Sequence, residues 1–375
     1  MNILAYVQLR NIHRSTGHGR VARLLVEELA KDSSLRLAVL ADRADHRSVI
    51  DQVGPPWDRF DYRFFERDTS QQQRRWLFAQ SPAAETYWPE AQITFCTNSS
   101  YVPVRKSKLV VTLHDVATFE PGAHRLDWML LNRRARGWIM HEMLARKADL
   151  LLTVSRFSAE RIAHVFPALK NRLRVVHHGV PPRFLRPVSQ TGEEFLRAAQ
   201  LIGRQFALLS GGLNFRKNAE LVLRAWPIMR ARFPDLLLVI PGNCEARYRD
   251  AARSLGSSVQ MLGFVDDEAL RSLYHHAALV WFPTRYEGFG LPVIEAMACG
   301  APVVASDCTS IPEISGSAAR LAPPDSESEH IEAMSHILTC SSEADRLRRL
   351  GRARAAEFTW ARAAQQVRTE FAALL

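Results

Sequence analysis

The sequence has few cysteines and no long apolar run. Its 375 residues include five cysteines, which are scattered and form no Cys-x-x-Cys pair. This odd, unpatterned set argues against a disulfide framework and a zinc site, and it predicts buried free thiols in a reducing cytosol. The longest apolar runs, such as Leu150–Val154 and Leu236–Ile240, are far shorter than the roughly 18–20 residues that a membrane-spanning helix needs.

Signals for export and for nucleic-acid binding are also lacking. Met1–Leu9 has neither a basic region nor a small-residue cleavage site, so no signal peptide is predicted. No zinc-finger spacing, helix-turn-helix signal or RNA-binding aromatic motif is found, so nucleic acid is not an expected partner. The apolar fraction of 47% and the charged fraction of 23% exclude disorder, collagen and coiled coil as the main architecture.

Positive charge is concentrated in the first half of the chain. Residues 1–187 contain 29 Lys and Arg against 18 Asp and Glu, whereas residues 188–375 contain 20 against 21. A basic half suits an acidic substrate or the surface of an anionic membrane. A merely solvated basic surface stays open as the alternative.

Short apolar strands alternate with helical patterns along the whole chain. Strands are predicted at Ile3–Gln8, Leu35–Ala41, Ile93–Cys96, Leu109–Leu113, Leu150–Val154, Leu173–Val176, Phe206–Ser210, Leu236–Ile240, Met261–Phe264, Leu279–Phe282 and Val303–Ser306. Helices are predicted at His18–Lys31, Leu126–Ala148, Ser158–Val165, Ala219–Arg232, Glu268–His276, Val293–Cys299 and His330–Leu338, and in the tail Glu343–Leu375. This alternation predicts an α/β protein with two open parallel sheets and helices on both faces of each.

The segment Ser210–Asn218 follows a predicted strand and precedes a helix. Its pair of glycines, Gly211 and Gly212, lets the backbone approach a ligand closely. Arg216 and Lys217 stand just before the helix N-terminus, which itself favours an anion. An arginine fork beside a lysine point charge suits a diphosphate. The alternative is a surface turn with two solvated cations.

The segment Glu287–Glu295 also follows an apolar strand. Its Gly-Phe-Gly loop exposes backbone amides, and Pro292 fits the first turn of a helix, where its missing N–H costs nothing. The two carboxylates could accept hydrogen bonds from sugar hydroxyls, one at each end of a nucleotide-sugar. The alternative is Glu287 as a surface residue and Glu295 as a charge on a helix face.

Together these two segments resemble the retaining glycosyltransferases of family four, which have the GT-B fold. Glu287 and Glu295 match the family's E-x7-E motif, and Arg216 and Lys217 match its phosphate-binding pair after Gly-Gly. The resemblance spans nearly the whole chain and is most specific in the second half. It implies two Rossmann-like domains with a cleft between them and a C-terminal helix that crosses back to the N-terminal domain.

The resemblance implies a role for each matching residue of the second half. Glu295 would hold the ribose hydroxyls of the donor, and Glu287 would contact its hexose. Arg216 and Lys217 would neutralise the charge that develops on the leaving diphosphate. The further donor-binding residues that it implies are Gly212, Asn214, Gly288, Phe289, Gly290 and Leu291.

Neither a metal ion nor a cofactor is expected. No clear Asp-x-Asp pair is present, because Asp266 and Asp267 are adjacent and begin a predicted helix. They are therefore interpreted as a helix cap. Ser155 or Ser158 is interpreted in the same way, as the cap of the helix that follows it.

Two segments of the first half resemble the family more loosely. His114 stands at a strand end, where ligand sites of α/β proteins gather, and resembles the family's histidine near the anomeric carbon of the donor. Asp115 would orient that imidazole or position the acceptor hydroxyl. The glycine-rich segment Ser15–Arg20 resembles the family's loop near the donor phosphates and the acceptor. Its candidate residues are Gly17, Gly19 and, on the acceptor side, Arg20.

The resemblance also assigns the C-terminus. Phe358-Thr359-Trp360 is similar to the family's aromatic signature before its last helix, which places Trp360–Leu375 with the first domain. The proline-rich segment Pro181–Gln190 is the predicted join. The predicted domains are therefore an acceptor-side domain, residues 1–187 with 360–375, and a donor-binding domain, residues 188–359.

A dinucleotide-binding fingerprint is the main rival interpretation. Gly17-x-Gly19-x-x-Ala22 fits it, and Asp42 follows near a second strand end. That fingerprint, however, requires its first glycine directly after the strand. Here Leu9–Thr16 intervenes, so a nicotinamide or flavin enzyme is disfavoured.

The implied reaction is transfer of a hexose from a nucleotide diphosphate to a hydroxyl, with retained anomeric configuration. Gly-Gly-x-Asn-x-Arg-Lys-Asn with the Leu-His-Asp strand end resembles family members that transfer mannose from GDP-mannose, while UDP- and TDP-sugars stay open. The expected acceptor is a lipid-linked glycan of cell-surface polysaccharide synthesis, at the cytoplasmic face of an anionic membrane. A non-catalytic sugar-nucleotide-binding subunit is the alternative from another class, and the oligomeric state is not indicated.

Overall fold

The chain divides into two compact units. The computed structural model describes residues 1–13, 17–125 and 128–375. The first unit consists of the described residues of Met1–Phe119, Asp127–Gly179 and Trp360–Leu375. The second consists of those of Glu120–Leu126 and Val180–Thr359.

The first unit is built on a seven-stranded parallel sheet of order β3-β2-β1-β4-β5-β6-β7. Its strands are β1 (Asn2–Tyr6), β2 (Arg36–Asp42), β3 (Asp61–Phe65), β4 (Ile93–Cys96), β5 (Lys108–Thr112), β6 (Leu150–Thr153) and β7 (Leu173–Val175). Its helices are α1 (Leu9–His13), α2 (Gly17–Leu29), α3 (Arg43–Val53), α4 (Thr69–Ala79), α5 (Ala84–Tyr87), α6 (Trp128–Lys147), α7 (Arg156–Val165) and, from the C-terminus, α16 (Trp360–Ala372).

The second unit is built on a six-stranded parallel sheet of order β10-β9-β8-β11-β12-β13. Its strands are β8 (Phe206–Leu209), β9 (Leu237–Pro241), β10 (Val259–Gly263), β11 (Leu279–Phe282), β12 (Val303–Ser306) and β13 (Arg320–Ala322). Its helices are α8 (Gln190–Ala198), α9 (Ala219–Arg232), α10 (Ala246–Arg253), α11 (Asp267–His276), α12 (Leu291–Ala298), α13 (Ile311–Ser315), α14 (Glu327–Thr339) and α15 (Ser341–Ala356).

The prediction of two parallel α/β sheets is confirmed, and the two strands that it missed lie at sheet edges. β3 reads Asp-Tyr-Arg-Phe-Phe, and three of its five residues are only half-buried. β13 has three residues and one buried side chain. An edge strand faces one neighbour and partly solvent, so neither carries the continuous apolar run of an interior parallel strand. Leu126, the predicted first residue of the long helix, lies outside the described residues.

Helix α16 belongs to the first unit although it follows the second in sequence. Phe371 is fully buried, its ring 5.3 Å from that of Phe95 on β4. Arg368 forms an ion pair with Asp32. Residues 180–187, by contrast, lie with the second unit, where buried Phe184 contacts Tyr274 at 5.9 Å between ring centroids. The observed division thus falls at Gly179, ahead of the predicted residue 187.

The cysteines and the helix caps agree largely with prediction. All five cysteines are free, three of them buried and two half-buried. The side chain of Asp266 accepts a hydrogen bond from the Ala269 amide at 2.8 Å, and Ser155 accepts one from Ser158 at 3.0 Å. None of the helices in the described part of the chain is long and apolar enough to cross a bilayer.

Two adjacent residues of α9, one buried and one exposed, allow a test of which face of this helix packs in the core of the second unit. Met229 is fully buried in the core, whereas Ile228 is 40% exposed. We expect Met229→Ala to lower the free energy of unfolding by about 2–5 kcal/mol, because it removes core contacts and leaves a cavity. Ile228→Ala, the matched control, should cost below about 1 kcal/mol. Urea unfolding measures both; equal costs would contradict the packing of α9.

Candidate active site

Two of the predicted motifs lie at the carboxyl ends of neighbouring strands. Ser210–Asn218 follows β8 and Glu287–Glu295 follows β11, and β8 and β11 are paired in the sheet. Because the carboxyl ends of parallel strands meet at one edge, the fold brings these two loops together. The candidate donor site is this edge of the second sheet.

A buried ion pair joins the two loops. Lys217 Nζ lies 2.6 Å from Glu287 Oε1, and both side chains are about nine-tenths buried. Arg216 NH1 lies 3.5 Å from the same oxygen, and the Thr284 hydroxyl donates to it at 3.2 Å. Lys217 Nζ also stands 4.0 Å above the ring of Phe282. Two cationic side chains and one hydroxyl group thus converge on a single carboxylate oxygen.

Burial and the neighbouring charges shift the pKa values of Lys217 and Glu287 in opposite directions. Burial lowers the pKa of Lys217 to about 8, although the carboxylate of Glu287 acts to raise it. Burial alone would raise the pKa of Glu287, but the charges of Lys217 and Arg216 outweigh it and hold that pKa below its ordinary value. At neutral pH both partners are therefore charged. Such a pair is costly to break from one side, because the remaining charge stays buried.

The loop before α9 is shaped by backbone contacts. Gly212 has a φ of +75°, and a Cβ there would lie 2.0 Å from the carbonyl oxygen of Asn243. Asn214 accepts a hydrogen bond from the Lys217 amide at 3.0 Å. Gly212 thus allows the close approach of a second loop, and Asn214 fixes the turn that carries Lys217. Their proposed contact with a donor stays a prediction.

The loop before α12 is held on its far side by hydroxyl groups. The Glu287 amide donates to Thr309 Oγ1 at 3.2 Å, and the Ser310 hydroxyl donates to the Glu287 carbonyl at 2.9 Å. Gly290, with a φ of +100°, caps α12, and a Cβ there would lie 2.7 Å from Ile311. The backbone of the E-x7-E segment is therefore fixed by the loop after β12.

The other residues of the E-x7-E segment pack around this loop. Glu295 lies in α12 and is 1% exposed, close enough to Lys217 to act on its pKa. Phe289 is buried, with its ring 5.8 Å from that of Phe358. Gly288 is buried, and Leu291, the first residue of α12, is half-buried. The structure thus brings Glu295 to the Lys217–Glu287 pair.

The first unit holds a separate group of predicted residues around His114. This residue lies two positions after the end of β5 and is 7% exposed. One ring nitrogen bonds the Thr97 backbone, and Nε2 is buried without a hydrogen-bond partner among the described residues. The ring centroids of His18 and His178 lie 4.4 and 5.6 Å away. Burial, and then the two other histidines, hold the pKa of His114 well below its ordinary value, so the ring is neutral at pH 7.

Asp115 has a local structural role. Its Oδ1 accepts a hydrogen bond from the Ala117 amide at 3.0 Å, which caps the turn after His114. The role in orienting the imidazole or the acceptor stays a prediction. Sequence reasoning did not single out His18 and His178, although the pair His177-His178 directly after an apolar strand is a signal that could have found the second.

The described residues of the glycine-rich segment, at the start of α2, differ in their packing. A Cβ at Gly19 would lie 1.9 Å from the carbonyl oxygen of Asn11, so this glycine allows α1 to pack on α2. Gly17 is exposed with open space around it, and Arg20 is half-buried. Ser15 and Thr16 lie outside the described residues.

Asp42, the acidic residue that the dinucleotide-binding interpretation requires, has a structural role. Asp42 accepts hydrogen bonds from the amides of Ala44 and Asp45, at 2.9 and 3.3 Å, as the N-cap of α3. Its second oxygen accepts from the Thr69 hydroxyl at 3.3 Å. Helix α1 also separates β1 from Gly17, as the long intervening segment indicated. The capping bonds use the carboxylate that this fingerprint assigns to a ribose.

Solved structures of other proteins share this fold. HepE from Anabaena, in a complex with UDP-glucose, matches with a TM-score of 0.74 at 16% identity over 100% of both chains. Sucrose-phosphate synthase from Thermosynechococcus elongatus matches with a TM-score of 0.73 at 19% identity, covering 100% of this chain and 99% of that one. The two parallel α/β units therefore have the GT-B fold that the sequence predicted.

The family follows from sequence comparison. The family model Glycosyltransferase Family 4 matches residues 15–184, and Glycosyl transferases group 1 matches residues 193–354. The O-antigen chain mannosyltransferase B of Escherichia coli is 32% identical over 271 residues, 69% of each chain. The MMP alpha-(1->4)-mannosyltransferase of Mycolicibacterium hassiacum is 32% identical over 269 residues, 69% of this chain and 63% of that one. The chain belongs to the family-four glycosyltransferases.

Two glycines with the same backbone conformation test the role of Gly212. Gly203 has a φ of +74° and open space, whereas a side chain at Gly212 would meet Asn243. We expect Gly203→Ala to cost about 1 kcal/mol of stability, the strain of left-handed backbone alone. Gly212→Ala should cost at least about 2 kcal/mol more, because the backbone itself must move. Urea unfolding compares the two, and equal costs would show that the approach of Asn243 is not required.

Acid titration tests the Lys217–Glu287 pair. We expect Glu287→Gln to lower the free energy of unfolding by about 3–5 kcal/mol near pH 7, because Lys217 is left buried without its carboxylate partner, whether it stays charged or loses its proton. The native pKa of Glu287 lies below its ordinary value near 4.5. Its contribution is therefore present above that value and is lost as the pH falls through the native pKa. The difference between the two proteins should shrink in that range.

Exposed Glu194 supplies the control for this titration. Glu194→Gln should change the free energy of unfolding by less than about 0.5 kcal/mol at any pH. A Glu287→Gln protein as stable as the native one at pH 7 would contradict the ion pair.

Proposed function

We propose that this glycosyltransferase is a retaining mannosyltransferase that uses GDP-mannose. The acceptor is a hydroxyl of a lipid-linked glycan in cell-surface polysaccharide synthesis, at the cytoplasmic face of the membrane. The observation that carries the proposal is the convergence of Arg216, Lys217 and Glu287 at the strand ends of the second unit. The mannosyltransferase relatives support the choice of sugar.

The cations of this cluster suit a leaving diphosphate. Lys217 is held by the ion pair and by the Phe282 ring, so its ammonium is positioned before the substrate arrives. Fixed charges aimed at developing negative charge lower a barrier without reorganisation at the moment of reaction. Arg216, with its side chain 37% exposed, adds a fork that suits phosphate oxygens.

The carboxylates suit sugar hydroxyls rather than covalent catalysis. Oε1 of Glu287 already contacts Lys217, Arg216 and Thr284, which lowers the basicity of the carboxylate. We therefore assign it a hydrogen-bonding role toward the hexose, and Glu295 the same role toward the ribose. The leaving phosphate takes the acceptor proton in a front-face reaction with retained configuration, so no strong general base is required.

His114 is proposed to contact the donor sugar through Nε2. The bond of the other ring nitrogen to the Thr97 backbone fixes the ring orientation. Because its pKa lies well below the ordinary value, the neutral ring can serve as a hydrogen-bonding partner throughout the neutral pH range. It does not add a positive charge there.

Metal independence is part of the proposal. Two cations stand where a divalent ion would otherwise neutralise the diphosphate, so Arg216 and Lys217 can supply that charge. Among the described residues no three His, Cys, Asp or Glu side chains come together as a metal site. Metal independence is tested by measuring turnover of GDP-mannose in EDTA, which should equal turnover without it.

Nucleoside diphosphates distinguish the donors. A ligand at 100 times its Kd adds about 2.7 kcal/mol of stability, which raises the Tm of a domain of about 150–250 residues by about 5–11 °C. We expect such a rise with GDP, a smaller one with UDP or TDP, and none with NAD. Glu295→Ala should abolish the rise if this carboxylate holds the ribose, whereas Glu329→Ala, which changes an exposed residue of α14, should keep it.

A UDP-selective rise would overturn the mannose donor and favour the donor type in the HepE complex. No rise with any nucleoside diphosphate would contradict the donor site. A GDP-selective rise without turnover of GDP-mannose, including its hydrolysis, would favour a non-catalytic binding subunit.

A further inference from the structure

Helix α6 presents a large apolar face to solvent. Trp128 is 75% exposed and Met129 is 67% exposed. Three further large apolar side chains of the same helix are between 43% and 50% exposed, namely Leu131, Trp138 and Ile139. Contiguous exposed apolar surface of this kind marks an interaction site in a water-soluble protein.

The opposite face of α6 fixes the helix to the first unit. Leu130 and Leu144 are buried, and the ring of His141 stacks on Phe166 at 4.3 Å. Arg134 Nε donates to the Thr118 carbonyl at 2.7 Å. Because these contacts hold one face, the exposed side chains belong to a pre-ordered surface and do not become buried by a simple rotation of the helix.

Positive charge surrounds the exposed apolar side chains. α6 carries Arg133, Arg136, Arg146 and Lys147, all exposed, and Glu142 is its only acidic residue. None of these four cations pairs with a carboxylate among the described residues. We call the surface formed by Trp128, Met129, Leu131, Trp138 and Ile139 with Arg133 and Arg136 the α6 face.

Helix α4 carries a second exposed aromatic ring, and the residue after it contacts α6. Gln80, which follows α4, contacts Met143 of α6 at 3.7 Å from Nε2 to Sδ. Phe78, two residues before Gln80, is 69% exposed, and Arg74 and Arg75 are exposed on the same helix. The same combination of an exposed aromatic ring and arginines thus occurs twice, on adjacent helices.

An open groove lies beside Trp138. It has a volume of about 410 Å³ and is lined by Phe119, Arg134, Ala135, Trp138 and Val165. Its lining is apolar except for one arginine. Such a groove, next to exposed tryptophans, can take up an apolar chain at its rim.

We infer that the α6 face docks on the surface of an anionic lipid bilayer. Tryptophan is favoured at the membrane–water interface, and exposed Arg is attracted to anionic headgroups. A second copy of the chain would instead bring two faces of the same charge together. The inference deepens the proposed function, since a lipid-linked acceptor is presented at such a surface, and it names the residues that make the contact.

Vesicle flotation with matched variants tests this inference. The probes are vesicles of phosphatidylcholine alone and of phosphatidylcholine mixed with phosphatidylglycerol. We expect the native protein to bind the anionic vesicles and to lose binding as salt is raised. Arg133→Gln with Arg136→Gln should weaken that binding roughly fivefold per charge, or about 25-fold for the pair. Trp128→Gln with Trp138→Gln should weaken it by at least about tenfold.

The second unit supplies the control. Ile228→Gln with Arg249→Gln changes one exposed apolar residue and one exposed arginine of that unit, and it should bind vesicles like the native protein. The Tm rise with GDP, measured on every variant, reports the donor site separately and should be unchanged. If the double tryptophan variant does not fold, Met129→Gln alone should still weaken vesicle binding several-fold.

Three results would overturn the inference. The first is equal retention of the native protein by neutral and anionic vesicles. The second is native binding by the α6 variants. The third is a dimer in solution that the tryptophan substitutions dissociate, which would make the α6 face a surface for self-association.

Discussion

The ion pair between Lys217 and Glu287 is the contact on which the candidate donor site depends. It joins two loops whose sequences lie 70 residues apart, at the ends of the paired strands β8 and β11. Removing two charges from water is costly, and the cost is offset only where further groups satisfy them. Here Thr284, Arg216 and the ring of Phe282 do so. The strand pairing therefore determines both the site and its electrostatics.

The glycines of these loops follow from the same constraint. Gly212 lets the loop after β9 approach the one that carries Lys217, and Gly290 lets the loop after β12 approach the start of α12. A side chain at either position would push apart loops that the ion pair holds together. The motifs assign these two glycines to ligand contact. The packing of the loops requires glycine at the same positions even without a ligand.

The interior strands and the two motif loops could be predicted from sequence, because buried parallel strands read as continuous apolar runs. Of the four edge strands, β7 and β10 were predicted, but β3 and β13 were not, since charged and half-exposed residues interrupt β3 and β13 has only three residues. The partner of Lys217 could not be derived from spacing alone. The reason is that the distance between two loops depends on strand order, which a local pattern does not contain.

Helix α6 shows a second limit of prediction from sequence. Its existence could be predicted, but its apolar residues surround the helix and give no direction to the core. Only the tertiary contacts of Leu130, His141 and Leu144 show which face is buried and which remains exposed. Charge composition left an acidic substrate, an anionic membrane and a merely solvated surface open for the first half, and only the three-dimensional contacts show which apolar and basic side chains of α6 are exposed.

A double-mutant cycle tests the central claim most directly. The free energies of unfolding of Lys217→Met, Glu287→Gln, the double variant and the native protein give the coupling energy of the pair. The account predicts a coupling of about 2–3 kcal/mol near pH 7, since each single change leaves the other group buried and unsatisfied. A coupling near zero would contradict it, because the two loops would then be held together by other contacts.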